Sequence, residues 1–188
     1  MIWEGLLEQG LAVTRMVHDR YHAARRNPFN EVECGDHYAR SMASYGVFLA
    51  ACGYQYDGPK GILGFSPRLR PEDFRAAFTT AEGWGTFSQK LARPSTGGRK
   101  SKKWPQPSWR QIERIEVKYG SLALKELRFG LAEGFRPDKL KVLVGDREAP
   151  ARFDFGDGVL RVHLADKVSV AAGSSLIVEI DLAKMRPT

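Results

Sequence analysis

The sequence predicts an α+β fold in which a helical region is followed by a small antiparallel β-sheet or sandwich. Residues 2–25 and 36–52 repeat apolar side chains at the spacing of a helix. Beyond residue 110 the pattern changes to short alternating runs with glycine-containing turns, which is typical of strands. A basic stretch rich in Pro and Gly, residues 93–110, predicts a linker or surface loop. The predicted division is therefore a helical part at 1–92, the linker at 93–110 and a β-rich part at 111–188.

The first predicted helix, residues 2–25, carries an apolar face that includes Trp3 and Val13. His18 and His22 are four residues apart, a spacing that can bind zinc on a helix. No third ligand accompanies the two histidines, so the sequence favours a polar helix face. No metal and no other cofactor is predicted.

The second predicted helix, residues 36–52, is the clearest in the chain. Its apolar stripe consists of Tyr38, Met42, Tyr45, Leu49 and Cys52. Gly53 follows as the residue that ends the helix. Small residues on the other faces indicate a multilayer helical body. Cys34 and Cys52 would lie roughly 25 Å apart at about 1.5 Å per residue, which is too far for a disulfide.

Residues 54–72 predict a long loop. Its glycines lack the Lys-Ser/Thr of a phosphate-binding loop and the G-x-G of a dinucleotide site. The aromatic side chains Tyr54, Tyr56 and Phe65 either line a sugar subsite or simply bury the loop. After it, Pro71-Glu72-Asp73-Phe74 predicts a short helix through Phe78, and residues 83–87 are expected to be extended.

The β-rich part is expected to begin with a hairpin that turns at Gly120-Ser121. Further strands are predicted at 140–144, 151–155, 159–164 and 176–182. His163 lies in one of them with no acid or nucleophile spaced along the chain to serve it, and we interpret it as structural.

The formal net charge of +7 is concentrated in the linker. Residues 93–110 contain basic side chains and no acid, interleaved with Trp104 and Trp109. This composition could contact polyanions, but a solvated connector is favoured, and a nucleic-acid partner is not expected. No apolar run is long enough to span a membrane, and no signal peptide is predicted, so the expected location is cytoplasmic.

Residues 27–40 carry the most distinctive chemistry. Asn27-Pro28 ends the preceding helix, since the residue before proline avoids the α region. Glu31 and Glu33 follow on an irregular or extended piece. Their carboxylates would stand roughly 6.5–7 Å apart, yet the acid and nucleophile of a glycosidase must flank the scissile bond and usually come from different elements. We expect one Glu to face a cavity and the other, with Asp36, to support the helix start, while Arg40 follows one turn inside.

This motif, NPFNEVECGDHYARSMASYG, is followed by YDGPKGILGFSPRL, PEDF and AEGWGTF. Together these segments resemble the C-terminal end of the catalytic domain of glycoside hydrolase family 116, the family of non-lysosomal glucosylceramidases and bacterial β-glucosidases. The resemblance covers roughly residues 1–90. It implies that the helical part is the last helices of an (α/α)6 barrel in a retaining enzyme.

The resemblance also implies a division of roles. Glu31 and Arg40 would hydrogen-bond the glucose hydroxyls of a β-glucoside or glucosylceramide-like substrate. Glu33 and Asp36 would support the helix start. The family's catalytic carboxylates lie upstream of the motif and have no counterpart here. The expected function is therefore the sugar-binding portion of a β-glucosidase, inactive alone and requiring the rest of the barrel, which could be a separate chain; the alternative is a non-catalytic module that binds carbohydrate or polyanions.

Overall fold

The computed structural model describes residues 1–20, 24, 38–93 and 109–185, without the side chains of 38–41. The chain divides into two compact units, Met1–Tyr54 and Gln55–Thr188. Strands account for 59% of the structure and helices for only 18%. The predicted fold class is therefore wrong, because a large mixed sheet, not a helical barrel followed by a small sheet, dominates the molecule.

The first unit is helical. A short 3-10 helix, Ile2–Glu4, leads into α1 (Leu7–His18) and then α2 (Tyr38–Cys52). The helix expected at residues 2–25 is thus broken near its start, where Gly5 adopts a left-handed conformation. Helix α2 confirms the prediction for residues 36–52 and ends at Gly53. No helix in the described ranges is long and apolar enough to cross a membrane.

The second unit contains ten strands within the described residues. They are β1 (Gln55–Asp57), β2 (Ile62–Phe65), β3 (Asp73–Thr79), β4 (Gly83–Ala92), β5 (Trp109–Gly130), β6 (Phe135–Val144), β7 (Arg147–Ala149), β8 (Ala151–Gly156), β9 (Val159–Ala171) and β10 (Ser175–Lys184). The strands predicted at 140–144, 151–155, 159–164 and 176–182 are confirmed as parts of β6, β8, β9 and β10.

Strand β5 organises this unit because it takes part in two halves of the sheet. Its first half lies between β4 and β10, and the order there is β3-β4-β5-β10-β6-β7. Its second half lies between β2 and β9, in the order β1-β2-β5-β9-β8. The pairing of β2 with β5 is parallel, while the other pairings of β5 are antiparallel.

The hairpin predicted at Gly120-Ser121 is wrong, because β5 continues through this point. Gly120 has a φ of 72°, and the register with β4 shifts between Trp84 and Gly85. A second shift, in the pairing with β9, falls between Leu124 and Glu126. An extra residue in a strand exchanges the buried and exposed faces of all the residues after it. The extra residues are Lys118 and Lys125, on either side of the left-handed Gly120, and the strand passes from one half of the sheet to the other between them.

Aromatic side chains join the inner faces of the two halves. The rings of Phe65 on β2 and Phe87 on β4 stack with centroids 3.9 Å apart. Phe87 also stacks with Phe129 at 6.2 Å, and Phe78 meets Phe65 edge-on at 5.9 Å. All four side chains are buried. Burial of such rings contributes strongly to a core, because each removes a large apolar area from water.

Residues 55–92 account for most of the error in fold class. The stretch predicted as a loop contains β1 and β2, and the short helix predicted through Phe78 is strand β3. In β3, Phe74, Ala76 and Phe78 face inward at every second position. Pro71-Glu72-Asp73 predicted a helix start, but the residues that follow form a strand because they pair with β4. Residues 83–87, within β4, are extended as predicted. The helical region therefore ends at Cys52, and the segment up to residue 92 belongs to the sheet.

Candidate functional site

The motif predicted to bind sugar lies largely outside the described residues. Glu31, Glu33 and Asp36 fall there, as do His22 and Cys34. Arg40 is on α2, near the start of the helix, although its side chain is not described. The roles assigned to these residues stay predictions.

Two apolar grooves follow the helices of the first unit. One, of about 310 Å³, is lined by Val13, Thr14, Val17, His18, Ala43, Ser44 and Val47. The other, of about 380 Å³, extends to the 3-10 helix and includes Trp3 and Ala50. The hydroxyl of Thr14 donates to the Gly10 carbonyl at 2.7 Å, so it is already satisfied within α1. Ala43 lies one turn beyond Arg40 on α2, so one groove begins close to the predicted sugar-binding position.

The apolar stripes expected to form the core of the helical unit are largely exposed. Trp3 and Met42, which belong to the predicted stripes, are 48% and 59% exposed, and Met16, outside the predicted stripe of the first helix, is 65% exposed. Few apolar side chains are buried in the described part of this unit. Apart from Ile2, which lies against Gly10, they are small: Ala50, Ala51 and Cys52. Exposed apolar side chains beside apolar grooves are typical of an interaction face or a ligand groove.

Three polar side chains are buried together in the interior of the second unit. Gln89, Gln111 and Glu113 are each at most 3% exposed. Gln111 Nε2 donates to Glu113 Oε1 at 2.7 Å and to the Gly130 carbonyl at 2.8 Å, and its Oε1 accepts from the Ala132 amide at 3.1 Å. Gln89 pairs with Glu113 across β4 and β5, and donates to the Pro71 carbonyl at 2.7 Å.

Burial favours the neutral, protonated form of Glu113. Removal from water raises the pKa of this carboxyl to about 8, and the hydrogen bond from Gln111 only partly opposes the change. Among the described residues, Gln89 Oε1 and the second carboxylate oxygen of Glu113, Oε2, have no hydrogen-bond partner while Glu113 is ionised. A proton on Glu113 Oε2 makes this oxygen a hydrogen-bond donor. Burial favours this protonated, neutral form of the carboxyl group. The sequence did carry a signal, since Gln111 and Glu113 occupy inward positions of an alternating strand.

His163 has acidic neighbours that spacing along the chain did not reveal. On the outer face of the sheet, its Nε2 lies 2.7 Å from Asp154 Oδ2 on β8 and its Nδ1 lies 3.5 Å from Glu126 on β5. Arg161 contacts Asp154 at 3.2 Å, and Arg128 contacts Glu126 at 2.6 Å. The hydrogen bond with His163 is the main cause that lowers the pKa of Asp154. Because each carboxylate already faces an arginine and the histidine, the cluster is a charge-balanced cross-strand network.

The three aromatic residues considered for a sugar subsite have different environments in the structure. Phe65 is buried in the core at 1% exposure. Tyr56 is instead exposed at 36%, and it lines a cavity of about 330 Å³ in the second unit. Glu82, Ser121 and Lys167 also line this cavity. Tyr54 belongs to the helical unit.

Cys52 is a buried free thiol at the end of α2. Desolvation raises its pKa to about 11, so the reactive thiolate is scarce at neutral pH. In the described part of the chain, no three His, Cys, Asp or Glu side chains are grouped to hold a metal ion.

The chain matches no protein-family model, and no curated protein matches it significantly. The resemblance to glycoside hydrolase family 116 therefore stays a prediction, and any function assigned to the chain rests on its own residues and geometry.

Proposed function

We propose that this chain is the sugar-binding portion of a retaining β-glucosidase-like glycoside hydrolase. In this proposal Glu31 and Arg40 hold the glucose hydroxyls, and the catalytic acid and nucleophile come from outside these residues. A carboxylate accepts hydrogen bonds from two neighbouring hydroxyls, and a guanidinium donates through a planar fork. The substrate class is a β-glucoside or a glucosylceramide-like lipid.

The observation that carries the proposal is the exposed apolar surface of the helical unit. Met16 on α1 and Met42 on α2 are more than half exposed, and Val13 and Tyr45 are nearly half exposed. The apolar grooves along the two helices leave a face that a partner surface can cover. Helices from a catalytic partner would supply such a surface and, with it, the remainder of the substrate site.

The direct test is binding and turnover with the full chain. We expect a β-glucoside to bind without being hydrolysed. Glu31→Gln and Arg40→Lys should each weaken that binding about tenfold or more, because hydrogen bonds to charged groups are worth about 1.5–3 kcal/mol. Glu33→Gln should lower the melting temperature more than the affinity, since a charge at a helix start contributes about 0.3–1 kcal/mol.

Two substitutions on α1 serve as matched controls. Glu8→Gln and Arg15→Lys change exposed residues of the same unit, and Arg15 only pairs with Asp19 on the surface. Neither should alter glucoside affinity. Steady hydrolysis by the purified chain, or equal affinity in all variants, would contradict the proposal. Salt-sensitive binding of a polyanion without glucoside binding would favour the alternative of a binding module.

The native mass tests what covers the grooves. If a separate helical partner is required, the purified chain should show the mass of one copy, 21.0 kDa. A stable dimer that Val13→Asp converts to monomer would mean that a second copy covers the grooves. That result would overturn the requirement for a separate helical partner.

A further inference from the structure

We propose that the cavity beside Tyr56 binds a single neutral sugar ring. Nothing in the proposed function assigns this site, and it does not depend on Glu31 or Arg40. All of its residues belong to the second unit, Gln55–Thr188.

The cavity lies where β5 changes from one half of the sheet to the other. Its wall comes from the turn after β1, the turn between β3 and β4, the start of the second half of β5, and Lys167 on β9. Register shifts on either side make this an irregular point of the sheet. Bulges occur frequently beside binding sites, because they redirect side chains without unfolding the strand.

The wall is fixed by close contact between backbones. A Cβ on Gly120 would stand 1.9 Å from the Glu82 carbonyl, and one on Gly83 would stand 2.6 Å from the Tyr119 carbonyl. The Ser121 amide donates to the Glu82 carbonyl at 3.1 Å. The turn that carries Glu82 is therefore held directly against β5, and the site is organised before a ligand arrives.

The ring of Tyr56 is also held in place. A Cβ on Gly58 would lie 2.6 Å from the Tyr56 hydroxyl and 3.0 Å from Cζ, so the ring folds against the backbone at this glycine. The hydroxyl is 3.4 Å from the Ala81 amide, which donates to it. The ring thus bridges two turns while part of it stays exposed. An aromatic ring with a polar tip is suited to contact the C–H face of a sugar.

The polar groups of the cavity match hydroxyls. The Glu82 carboxylate accepts hydrogen bonds and the Lys167 ammonium donates them. Neither side chain makes a hydrogen bond or ion pair with another residue in the described ranges, so both are available. One acid and one base balance each other, which favours a neutral ligand, because an anion would meet the carboxylate. The volume of about 330 Å³ is near the lower end of the roughly 300–1,000 Å³ found for small-molecule sites, which fits one ring.

The experiment is a titration of the full, isotope-labelled chain with methyl pyranosides, followed by amide NMR. We expect saturable binding at millimolar concentrations, with shifts at the Gly58 and Ser121 amides. Lys167→Met should weaken binding about tenfold or more, since it removes a charged donor. Lys60→Met is the matched control, because this exposed lysine of the turn after β1 pairs with Asp57 and does not line the cavity. It should leave the affinity unchanged.

Tyr56→Ala is a second variant, which removes the aromatic ring of the site. In Lys167→Met the amide signals distant from the cavity should be unchanged, which shows that this variant is folded. Absence of saturable pyranoside binding, or equal binding by wild type and Lys167→Met, overturns the proposal. Loss of binding in Glu31→Gln but not in Lys167→Met would place the sugar at the helical motif, which supports the proposed function and overturns this one. Saturation by inorganic phosphate instead of pyranosides would overturn the assignment of a neutral ligand.

Discussion

The buried carboxyl of Glu113 predicts a specific pH dependence of stability. Its pKa is about 8 in the folded protein, against an ordinary value of 4.5. Below pH 4.5 both the folded and the unfolded chain hold the proton, and the group adds no slope. Between pH 4.5 and 8 the folded chain keeps a proton that the unfolded chain has released. As the pH rises through this range, Glu113 should therefore lower the free energy of unfolding by up to about 1.4 kcal/mol per pH unit. The total decrease should be on the order of several kcal/mol.

Glu113→Gln should remove this slope. The amide keeps the shape of the protonated acid: its oxygen accepts from Gln111, and its NH2 can donate toward Gln89. At acidic pH the variant should be about as stable as the wild type. From about pH 4.5 upward it should become increasingly more stable than the wild type, and the difference should be complete near pH 8, where the folded wild type also loses its proton.

The assay is urea unfolding of the full chain from pH 5 to pH 9, followed by the β-sheet circular dichroism. Glu148→Gln is the control, since its carboxylate is 63% exposed and pairs only with Lys141 on the surface. That substitution should leave the slope as in the wild type. The reasoning is refuted if wild type and Glu113→Gln show the same slope, or if the variant is destabilised equally at every pH.

Three further outcomes are expected from the packing. Gly85→Ala should destabilise the chain by about 1–3 kcal/mol or more in urea unfolding, because a Cβ there would stand 1.9 Å from the Glu116 carbonyl; Gly156→Ala, with nothing nearer than 3.9 Å, should be close to neutral. Cys52 should react with a thiol reagent only in denaturant, and rapid labelling of native protein would contradict its burial. Trypsin cleavage within residues 94–108 should leave two fragments that co-elute in gel filtration, because β4 and β5 remain paired; separation of the fragments would contradict the sheet order.

The helix α2 and the later strands could be predicted because their signals are local. Helix α2 has a continuous apolar repeat ended by Gly53, and β10 alternates from Ser175 to Lys184 with four buried apolar residues on one side. In each case the chain within the element determines the structure. No distant partner is needed to recognise the pattern.

The errors arose where a local signal has two structural meanings. A pair such as Gly120-Ser121 can form a hairpin turn or lie within a continuing strand, and only the pairing with β4 and β9 shows that β5 continues. Strand β2 is four residues long, and its nearby antiparallel partner β1 has only three residues. Its other pairing is parallel, with a strand some sixty residues later that no local pattern reveals.

The candidate sites show the same limit. The contact of His163 with Asp154 depends on the register of β8 with β9, and the contact with Glu126 depends on β5. Spacing along the chain contains neither. The surroundings of Tyr56 likewise combine four separate segments. In contrast, the prediction for the motif around Glu31 rests on contiguous residues, and it stays a prediction because those residues lie outside the described ranges.

The place of β10 has a consequence for synthesis of the protein. This strand lies between β5 and β6, so both keep an open edge until residues 175–184 leave the ribosome. During that interval β5 exposes unpaired amides and carbonyls beside apolar side chains, the kind of edge that recruits other strands. The sheet cannot close progressively from its N-terminal end. A nascent chain paused before β10 is therefore the form most prone to aggregate and most dependent on chaperones.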